Sequence, residues 1–324
     1  MSDTIQWGIL GLGHIAASFA RDLALVPEAN LKAVASRSSQ KAQAFAAEWE
    51  ADNFYASYQE LLADPEVDVI YIATPHTLHC EQTIMALEAG KHVLCEKPLG
   101  IDNQEIDRML NAAEKSGVFL MEALWSRFNP ALRAAVEKVH SGELGALKYL
   151  KADFAFPALD RNPEGRLLNP ALAGGSLLDI GIYPVFLAYW LLGTPERFEA
   201  IAHFHETGIE KQIGMVFSYP DAIAMLYSGL SSKSEMKVEI SCESGNIYIH
   251  PRWHETDGFE VDLEGEGEVI EIPTQGKGYT YEIREVHRCL KAGLRQSPDW
   301  SWSDSKALHG LLQAIRERCG ITFD

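Results

Sequence analysis

A glycine turn joins an apolar strand to a helix at the start of this chain. The run Ile5 to Leu10 is followed by Gly11-Leu12-Gly13, and the segment Ile15 to Leu25 has the apolar spacing of a helix. A second strand, Leu31 to Ser36, completes a β-α-β unit. Gly11 permits the tight bend, Gly13 leaves space beside the backbone, and small Ala16 lets the helix pack closely on the strand. This pattern predicts a doubly wound parallel sheet.

The helix after the turn begins with free N–H groups, and its dipole favours an anion there. We therefore predict that a dinucleotide binds with its pyrophosphate at this turn, against Gly11, Leu12, Gly13, His14 and Ile15. Glycines also mark ordinary strand-to-helix turns, so the prediction depends on the whole β-α-β context.

The end of the second strand indicates which dinucleotide is preferred. An acidic residue there binds the ribose 2′-hydroxyl of NAD, but this chain has Ser36-Arg37-Ser38. The Arg37 guanidinium can bind a 2′-phosphate, with Ser36 or Ser38 donating a hydroxyl. NADP is the favoured cofactor, and use of NAD stays open.

Two further strands carry polar residues at their carboxyl ends. Val67 to Ala73 is followed by Thr74-Pro75-His76, and His92 to Cys95 is followed by Glu96-Lys97-Pro98. Ligands bind at this edge of an open parallel sheet. We predict that the cofactor crevice is bordered by Thr74, Pro75, His76, His79, Glu96 and Lys97.

His76, His79 and Cys80 lie close together in sequence, but no acidic or cysteine partner completes a recognisable set of ligands. We therefore predict no metal site.

Length and charge narrow the class of protein. The chain has 324 residues, of which 47% are hydrophobic, enough for two cores. The formal net charge of −18 would repel a nucleic acid, and lysine and arginine are scattered rather than clustered. We expect a small-molecule substrate and no nucleic acid partner.

Three observations favour the cytoplasm. We find no charged leader with a cleavage site at the start and expect no apolar stretch of membrane-spanning length. The five cysteines are odd in number and widely spaced, which suits free thiols in a reducing compartment.

The second half of the chain predicts a different kind of sheet. Lys148 to Phe156 alternates as a strand, and several later runs of similar length are separated by turn residues. Two helices, around Tyr281 to Lys291 and Ser303 to Arg316, follow. Phe154 and Phe156 are candidates for an apolar floor beneath a substrate ring, although at least one of them is expected to pack in the core.

Several ordered motifs together resemble the Gfo/Idh/MocA family of oxidoreductases, and within it the branch of dimeric dihydrodiol dehydrogenases and D-xylose dehydrogenases. The resemblance covers essentially the whole chain. It is carried by residues 11–16, Ala73-Thr74-Pro75-His76, Glu96-Lys97-Pro98, Met121 to Phe128 and Gly174 to Tyr183.

The resemblance implies an N-terminal Rossmann domain and a C-terminal α+β domain with an open, mostly antiparallel sheet, and a homodimer. We place the dinucleotide-binding domain at residues 1–122 and the substrate-binding and dimerisation domain at residues 123–324. It also implies that Trp125 and Arg127 lie near the nicotinamide half of the cofactor.

The chemistry can be argued from Lys97 and the helix after Gly175. Oxidation of a carbinol needs hydride transfer and removal of the hydroxyl proton. A free tyrosine titrates near 10, and an adjacent ammonium lowers that pKa. In many family members a histidine stands where this chain has Tyr183, and the chain resembles the branch that has tyrosine. We assign Tyr183 as the general acid/base, Lys97 as its activator and Asp179, on the same helical face, as a group that orients the substrate or the lysine.

The leading hypothesis is an NADP-preferring dehydrogenase that acts on a carbinol or hemiacetal of a sugar or a cyclic trans-dihydrodiol. Two alternatives stay open: a glycoside hydrolase of the same fold that uses tightly held NAD, and a cofactor-sensing binding protein without catalysis.

Overall fold

The protein is described by a computed structural model that covers residues 4–263 and 265–323. Its strands are β1 (Ile5–Leu10), β2 (Ala29–Ala35), β3 (Asn53–Tyr55), β4 (Val69–Ile72), β5 (His92–Glu96), β6 (Leu120–Ala123), β7 (Leu147–Ala155), β8 (Arg197–Phe204), β9 (Glu210–Ser218), β10 (Ile223–Gly229), β11 (Val238–Cys242), β12 (Gly245–Ile249), β13 (Gly258–Leu263) and β14 (Glu266–Glu271). Its α-helices are α1 (His14–Leu23), α2 (Ser39–Trp49), α3 (Tyr58–Ala63), α4 (His79–Glu88), α5 (Asn103–Ser116), α6 (Pro130–His140), α7 (Ile182–Leu192), α8 (Tyr279–Lys291) and α9 (Trp302–Cys319).

The chain forms two compact units. Unit 1 comprises Met1–Trp125 and Gln275–Lys306, and unit 2 comprises Ser126–Thr274 and Ala307–Asp324. We predicted two continuous segments divided at residue 122, whereas the structure adds a late segment to unit 1. The reason is local: Asp22 at the end of α1 accepts the backbone N–H groups of Lys277, Gly278 and Tyr279, and so ties the start of α8 to unit 1.

Unit 1 contains a parallel sheet in the order β3-β2-β1-β4-β5-β6. This is the doubly wound order, in which the chain reverses direction across the sheet between β1 and β4. The strand interiors are fully buried, as Ile9, Ile70 and Val93 illustrate. Each such side chain contributes about 1.5–3 kcal/mol to folding. The predicted Rossmann domain is confirmed.

Local signals set the helix ends in unit 1. The Asp102 side chain accepts the N–H of Glu105 and begins α5, and Gly117 ends it in the left-handed conformation at φ +70°. Ser38 caps α2 in the same way, by accepting the N–H of Lys41.

Unit 2 contains a sheet in the order β14-β13-β12-β11-β7-β10-β9-β8. Only the pairing of β7 with β10 is parallel within it. One face carries the buried side chains, such as Leu150, Ile240 and Phe217, and packs against α6 and α7. The predicted open, mostly antiparallel sheet is therefore confirmed.

One sequence expectation is wrong. The segment Pro170–Leu192 is long and apolar enough to cross a membrane, with a mean hydropathy of 1.6 over its most apolar window, although we expected no such stretch. Most of that window, 89%, is buried inside the molecule. A helix in the middle of a domain core must be apolar all round, which gives it this composition.

Candidate active site

The glycine turn lies at the carboxyl end of β1. Gly11 has a φ of +90°, and a Cβ on it would lie 2.6 Å from Cγ2 of Thr74, so glycine is required there. Gly13 precedes the first residue of α1, and no atom lies within 4 Å of where its Cβ would be. The turn therefore leaves open space in front of free helix N–H groups, which fits a pyrophosphate. His14 and Ile15 are exposed at this end of the helix, while Leu12 is buried.

The residues predicted to select NADP follow β2. The Ser36 hydroxyl accepts the N–H of Ser38, which shapes the turn. Arg37 is exposed, and no ion pair involves its guanidinium in the described part of the chain. A guanidinium in this position fits a phosphate on the adenosine ribose.

The loop after β4 is linked to the turn after β5 by a histidine. The two ring nitrogens of His79 lie 2.8 Å from the Pro98 carbonyl oxygen and 2.9 Å from the Thr74 carbonyl oxygen. His79 is fully buried, and burial lowers its pKa. Both nitrogens are thus occupied by backbone groups. His76 begins the short helical turn His76–Leu78 and is also buried, and Pro75 precedes it.

The turn that carries Lys97 is held by hydrogen bonds to two buried carboxylates, Glu96 and Glu122. Glu96 is buried and accepts the hydroxyl proton of Tyr71, and the Lys97-Pro98 peptide bond is cis. Glu122 accepts the N–H of Leu99 at 2.9 Å. The same carboxylate accepts Trp300 Nε1–H at 3.1 Å and the Ser305 hydroxyl at 2.8 Å. Glu122 lies in the motif Met121 to Phe128, but its role as a shared hydrogen-bond acceptor was not predicted from sequence.

Trp125 and Arg127, predicted together, fall in different units. The Trp125 ring stacks on Tyr279 in unit 1, with centroids 4.9 Å apart and planes 9° apart. The Arg127 guanidinium lies 4.2 Å from the ring centroid of Trp190 in unit 2.

In unit 2, Asp179 lies in a π-helical turn, Leu177–Gly181, that runs directly into α7. Our one-face argument for Asp179 and Tyr183 assumed a continuous α-helix, and the wider turn changes the angle between the two side chains. The Asp179 carboxylate accepts a hydrogen bond from the Arg166 guanidinium at 2.5 Å. Sequence analysis missed Arg166, which lies in the loop before this turn.

Tyr183 is buried in an aromatic cluster. Its ring centroid lies 5.5 Å from that of Phe154, 5.4 Å from that of His254 and 6.5 Å from that of Trp253. His254 stacks on Phe154 at 4.2 Å. Phe156 lies at the edge of this cluster, with the guanidinium of Arg161 5.3 Å from its ring centroid. The sequence did not assign Trp253 or His254, because they come from a loop about a hundred residues beyond Phe154.

The searched residues 4–263 and 265–323 contain no group of three or more histidine, cysteine, aspartate or glutamate side chains arranged to hold a metal ion. All five cysteines are free thiols.

Comparison with protein families gives two matches along the chain. Residues 5–124 match an oxidoreductase family with an NAD-binding Rossmann fold, GFO/IDH/MocA, and residues 132–248 match the C-terminal domain of the same family.

Curated relatives match over almost the full length. The chain is 36% identical to trans-1,2-dihydrobenzene-1,2-diol dehydrogenase of Mus musculus over 332 residues, which cover 98% of each chain. It is 34% identical to the Homo sapiens enzyme of the same name, with the same coverage.

Solved structures agree with the fold. An aldose-aldose oxidoreductase from Caulobacter crescentus, crystallised with glycerol, matches with a TM-score of 0.89 at 26% identity over 98% of each chain. A 3-ketoreductase from Actinomadura kijaniata, crystallised with NADP and TDP-benzene, matches with a TM-score of 0.88 at 25% identity over 98% of each chain.

Proposed function

Since the chain belongs to the Gfo/Idh/MocA family and is an NAD(P)-dependent oxidoreductase, we propose that it oxidises a carbinol of a cyclic trans-dihydrodiol with NADP as the preferred acceptor. The observation that carries the substrate class is the aromatic surrounding of Tyr183, formed by Phe154, Trp253 and His254. An unsaturated carbocycle packs well against such rings. The names of the full-length relatives point to the same class.

A sugar hemiacetal is the second candidate substrate, with a pentose or hexose oxidised at C1. The structural match to an aldose-aldose oxidoreductase supports it. The ion pair of Arg166 and Asp179 also supplies polar groups in the same unit as Tyr183, which suits a polyhydroxylated ring.

We assign the proton chemistry to two side chains. The glycine turn at Gly11 and Gly13, together with Arg37, would hold the nicotinamide cofactor, which would supply the hydride acceptor. Tyr183 accepts the proton of the substrate hydroxyl on its phenolate oxygen. Lys97 is assigned as the activator because the family resemblance implies that role and because an ammonium favours a phenolate and can donate a hydrogen bond to a reacting oxygen. Asp179 orients the substrate through its hydrogen bond with Arg166.

We also propose NADP preference and a homodimer. The support for NADP preference is Arg37, which has no acidic neighbour at the end of β2.

The support for the homodimer is the outer face of the sheet in unit 2. One row of paired residues crosses that face: Glu199, Val216, Met225, Lys151, Glu239, Tyr248, Glu260 and Val269. Its apolar members are all more than a third exposed.

The area of this face suits a second copy of the chain. Eight strands about 4.8 Å apart and about 20 Å long make a face of roughly 750 Å². A stable dimer needs about 800 Å² on each partner. The single lysine of the row, Lys151, lies beside Glu239, so a two-fold copy can pair opposite charges.

The test is to follow nicotinamide reduction with NADP or NAD and a panel of dihydrodiols, aldoses and inositols. We expect turnover with the dihydrodiols and a higher kcat/KM with NADP. Lys97→Met and Tyr183→Phe should each lower kcat about a hundredfold or more and leave NADP affinity nearly unchanged.

Two matched variants serve as controls. Lys115→Met removes an exposed lysine of α5, and Tyr219→Phe removes a buried hydroxyl with no hydrogen-bond partner among the described residues. Both should keep full activity. Unchanged kcat in Tyr183→Phe would exclude it as the acid/base. Turnover without added cofactor, by a protein purified with NAD bound, would favour the glycosidase alternative.

A further inference from the structure

Glu210, the first residue of β9, is a buried carboxyl group that contacts the π-helical turn. Its side chain is 1% exposed. Oε1 accepts the N–H of Leu177 at 2.6 Å, and the nearby backbone N–H of Ser176 helps to lower the pKa of the carboxyl group. These are among the first N–H groups of the turn, which have no partner within a helix. The turn carries Asp179 and leads into α7, which carries Tyr183.

Gly175 is required by this contact. Its φ is +120°, and a Cβ on it would lie 2.2 Å and 2.4 Å from the two oxygens of Glu210. Any side chain at this position would displace the carboxyl group. Gly175 is thus required by the packing of Glu210, and the proposed chemistry gives no separate reason for a glycine there.

A second strand holds the same turn. The Ser228 hydroxyl of β10 donates to the Ser176 hydroxyl at 3.1 Å, and both residues are fully buried. A Cβ on Gly181 would lie 2.7 Å from the same Ser228 oxygen, so β10 packs closely on the end of the turn. The turn is therefore held at its start by β9 and along its length by β10.

We propose that Glu210 is a positioning residue: its carboxyl group caps the N–H of Leu177 and packs against Gly175, and so fixes Asp179 and Tyr183 for the reaction. This inference rests on the proposed function, because it acts through the residues assigned there. Glu210 itself touches the backbone of the turn and is not assigned to the substrate.

The charge state of Glu210 changes near neutral pH. Burial raises its pKa to about 7, against the lowering effect of the backbone N–H groups and of the Arg316 guanidinium on α9. Its negative charge in turn helps to raise the pKa of the Cys319 thiol on the same helix. A local opening that exposes Glu210 returns its pKa toward 4.5. By linkage, the closed turn loses stability as pH rises from about 4.5 to 7, and the loss is complete above 7.

The main experiment is hydrogen exchange, read by mass spectrometry, at the amides of residues 176–183 in the full chain. Glu210→Met removes the acceptor at nearly constant volume, and we expect protection to fall about tenfold. Glu210→Gln keeps an acceptor oxygen, so its protection should stay within about threefold of the wild-type value. Glu206, an exposed carboxylate in the loop before β9, provides the control. Protection of residues 176–183 in Glu206→Gln should equal that of the wild type.

Kinetics separate positioning from simple packing. Glu210→Met should lower kcat about tenfold with an unchanged KM for NADP, and Glu210→Gln should restore kcat. After correction for intrinsic exchange, wild-type protection should decline between pH 5 and 7, and the Gln variant should not show this decline.

Substitutions at Gly175 and Gly193 give an independent check if Glu210→Met does not fold. Gly175→Ala should reduce protection of the turn as Glu210→Met does. Gly193→Ala places the same residue at a positive φ, +75°, at the other end of α7, where nothing lies within 4 Å. It should leave residues 176–183 unchanged. Equal losses in both variants would show that backbone strain, and not the carboxyl group, controls the turn.

The outcomes are distinguishable from failure of the proposed function. Wild-type protection in Glu210→Met, with Tyr183→Phe inactive, would overturn the inference alone. Full activity in Tyr183→Phe would overturn the proposed chemistry, and with it the positioning role, whatever the exchange data show.

Discussion

Glu282 is a carboxyl group buried without partners. It lies on α8, is fully buried, and neither oxygen has a hydrogen-bond partner among the described residues. Burial raises its pKa well above 4.5, and the nearby carboxylates of Glu96 and Asp22 raise it further. Folding therefore favours the neutral form of Glu282.

A neutral acid of this kind makes stability depend on pH. With a folded pKa above the unfolded one, the stabilising effect is complete below about pH 4.5 and declines as pH rises toward the folded value. Glu282→Gln removes the titration. We expect its free energy of unfolding to equal that of the wild type at pH 4.5 and to exceed it by about 1–3 kcal/mol at pH 8.

Urea denaturation at both pH values measures this difference, with Glu114→Gln on the exposed face of α5 as the control. An equal effect of Glu282→Gln and Glu114→Gln, or a difference between Glu282→Gln and the wild type that is the same at pH 4.5 and pH 8, would contradict the raised pKa of Glu282.

At the scale of elements, the start of α8 depends on one side chain from α1. Asp22 is fully buried and accepts three backbone N–H groups, from Lys277, Gly278 and Tyr279. Gly276 has a φ of +65°, and its Cβ would lie 2.4 Å from an Asp22 oxygen. This contact brings the late segment into unit 1.

Removing that cap should be costly. Asp22→Ala leaves three N–H groups without an acceptor, and we expect it to destabilise unit 1 by about 2–4 kcal/mol. Asp107→Ala, which breaks an exposed ion pair with Lys306, should cost less than about 1 kcal/mol. The free energy of the first unfolding transition in urea is measured for both variants. If Asp22→Ala costs as little as Asp107→Ala, the cap is dispensable.

Element prediction succeeded where the local pattern was strong. The strand predicted from the alternation over Lys148 to Phe156 is observed as β7, Leu147–Ala155. Strand β8 was not predicted, although the outward residues Arg197, Glu199 and His203 alternate with apolar ones along it. Helix α6 was missed although Asn129 caps it and Pro130 opens it, which is a readable start signal.

Prediction of the site residues depends on a different kind of information. The ends of β1, β2, β4 and β5 follow from strand order, so the sequence could place their residues at one edge of the sheet. Glu122 and Glu210 act through partners about 180 and 33 residues away, and no local spacing encodes such contacts. A π-helical turn at Asp179 also needs tertiary packing, since its sequence reads as an ordinary helix.

At the scale of the whole molecule, the proposed dimer makes a clear prediction. Val216 and Met225 are paired neighbours on the exposed face of the sheet in unit 2. Changing both to Glu places like charges opposite each other in a two-fold interface, and the dimer dissociation constant should rise a hundredfold or more. Sedimentation velocity measures this.

The control is Leu294→Glu, an exposed apolar residue of unit 1, which should leave the dimer intact. A monomeric wild type at micromolar concentration, or dissociation caused by Leu294→Glu alone, would contradict the assigned face.

The division of unit 1 into two stretches of chain has a consequence for biosynthesis. Its first stretch ends at Trp125 and its second begins at Gln275, so unit 2 interrupts it. Until Trp300 and Ser305 have been translated, the buried carboxylate of Glu122 can accept the N–H of Leu99 but lacks two other donors that it has in the folded unit. On the ribosome, the stretch of unit 1 that is made first is therefore completed late, and the carboxylate that holds the loop of Lys97 gains these two hydrogen bonds only when most of the chain has emerged.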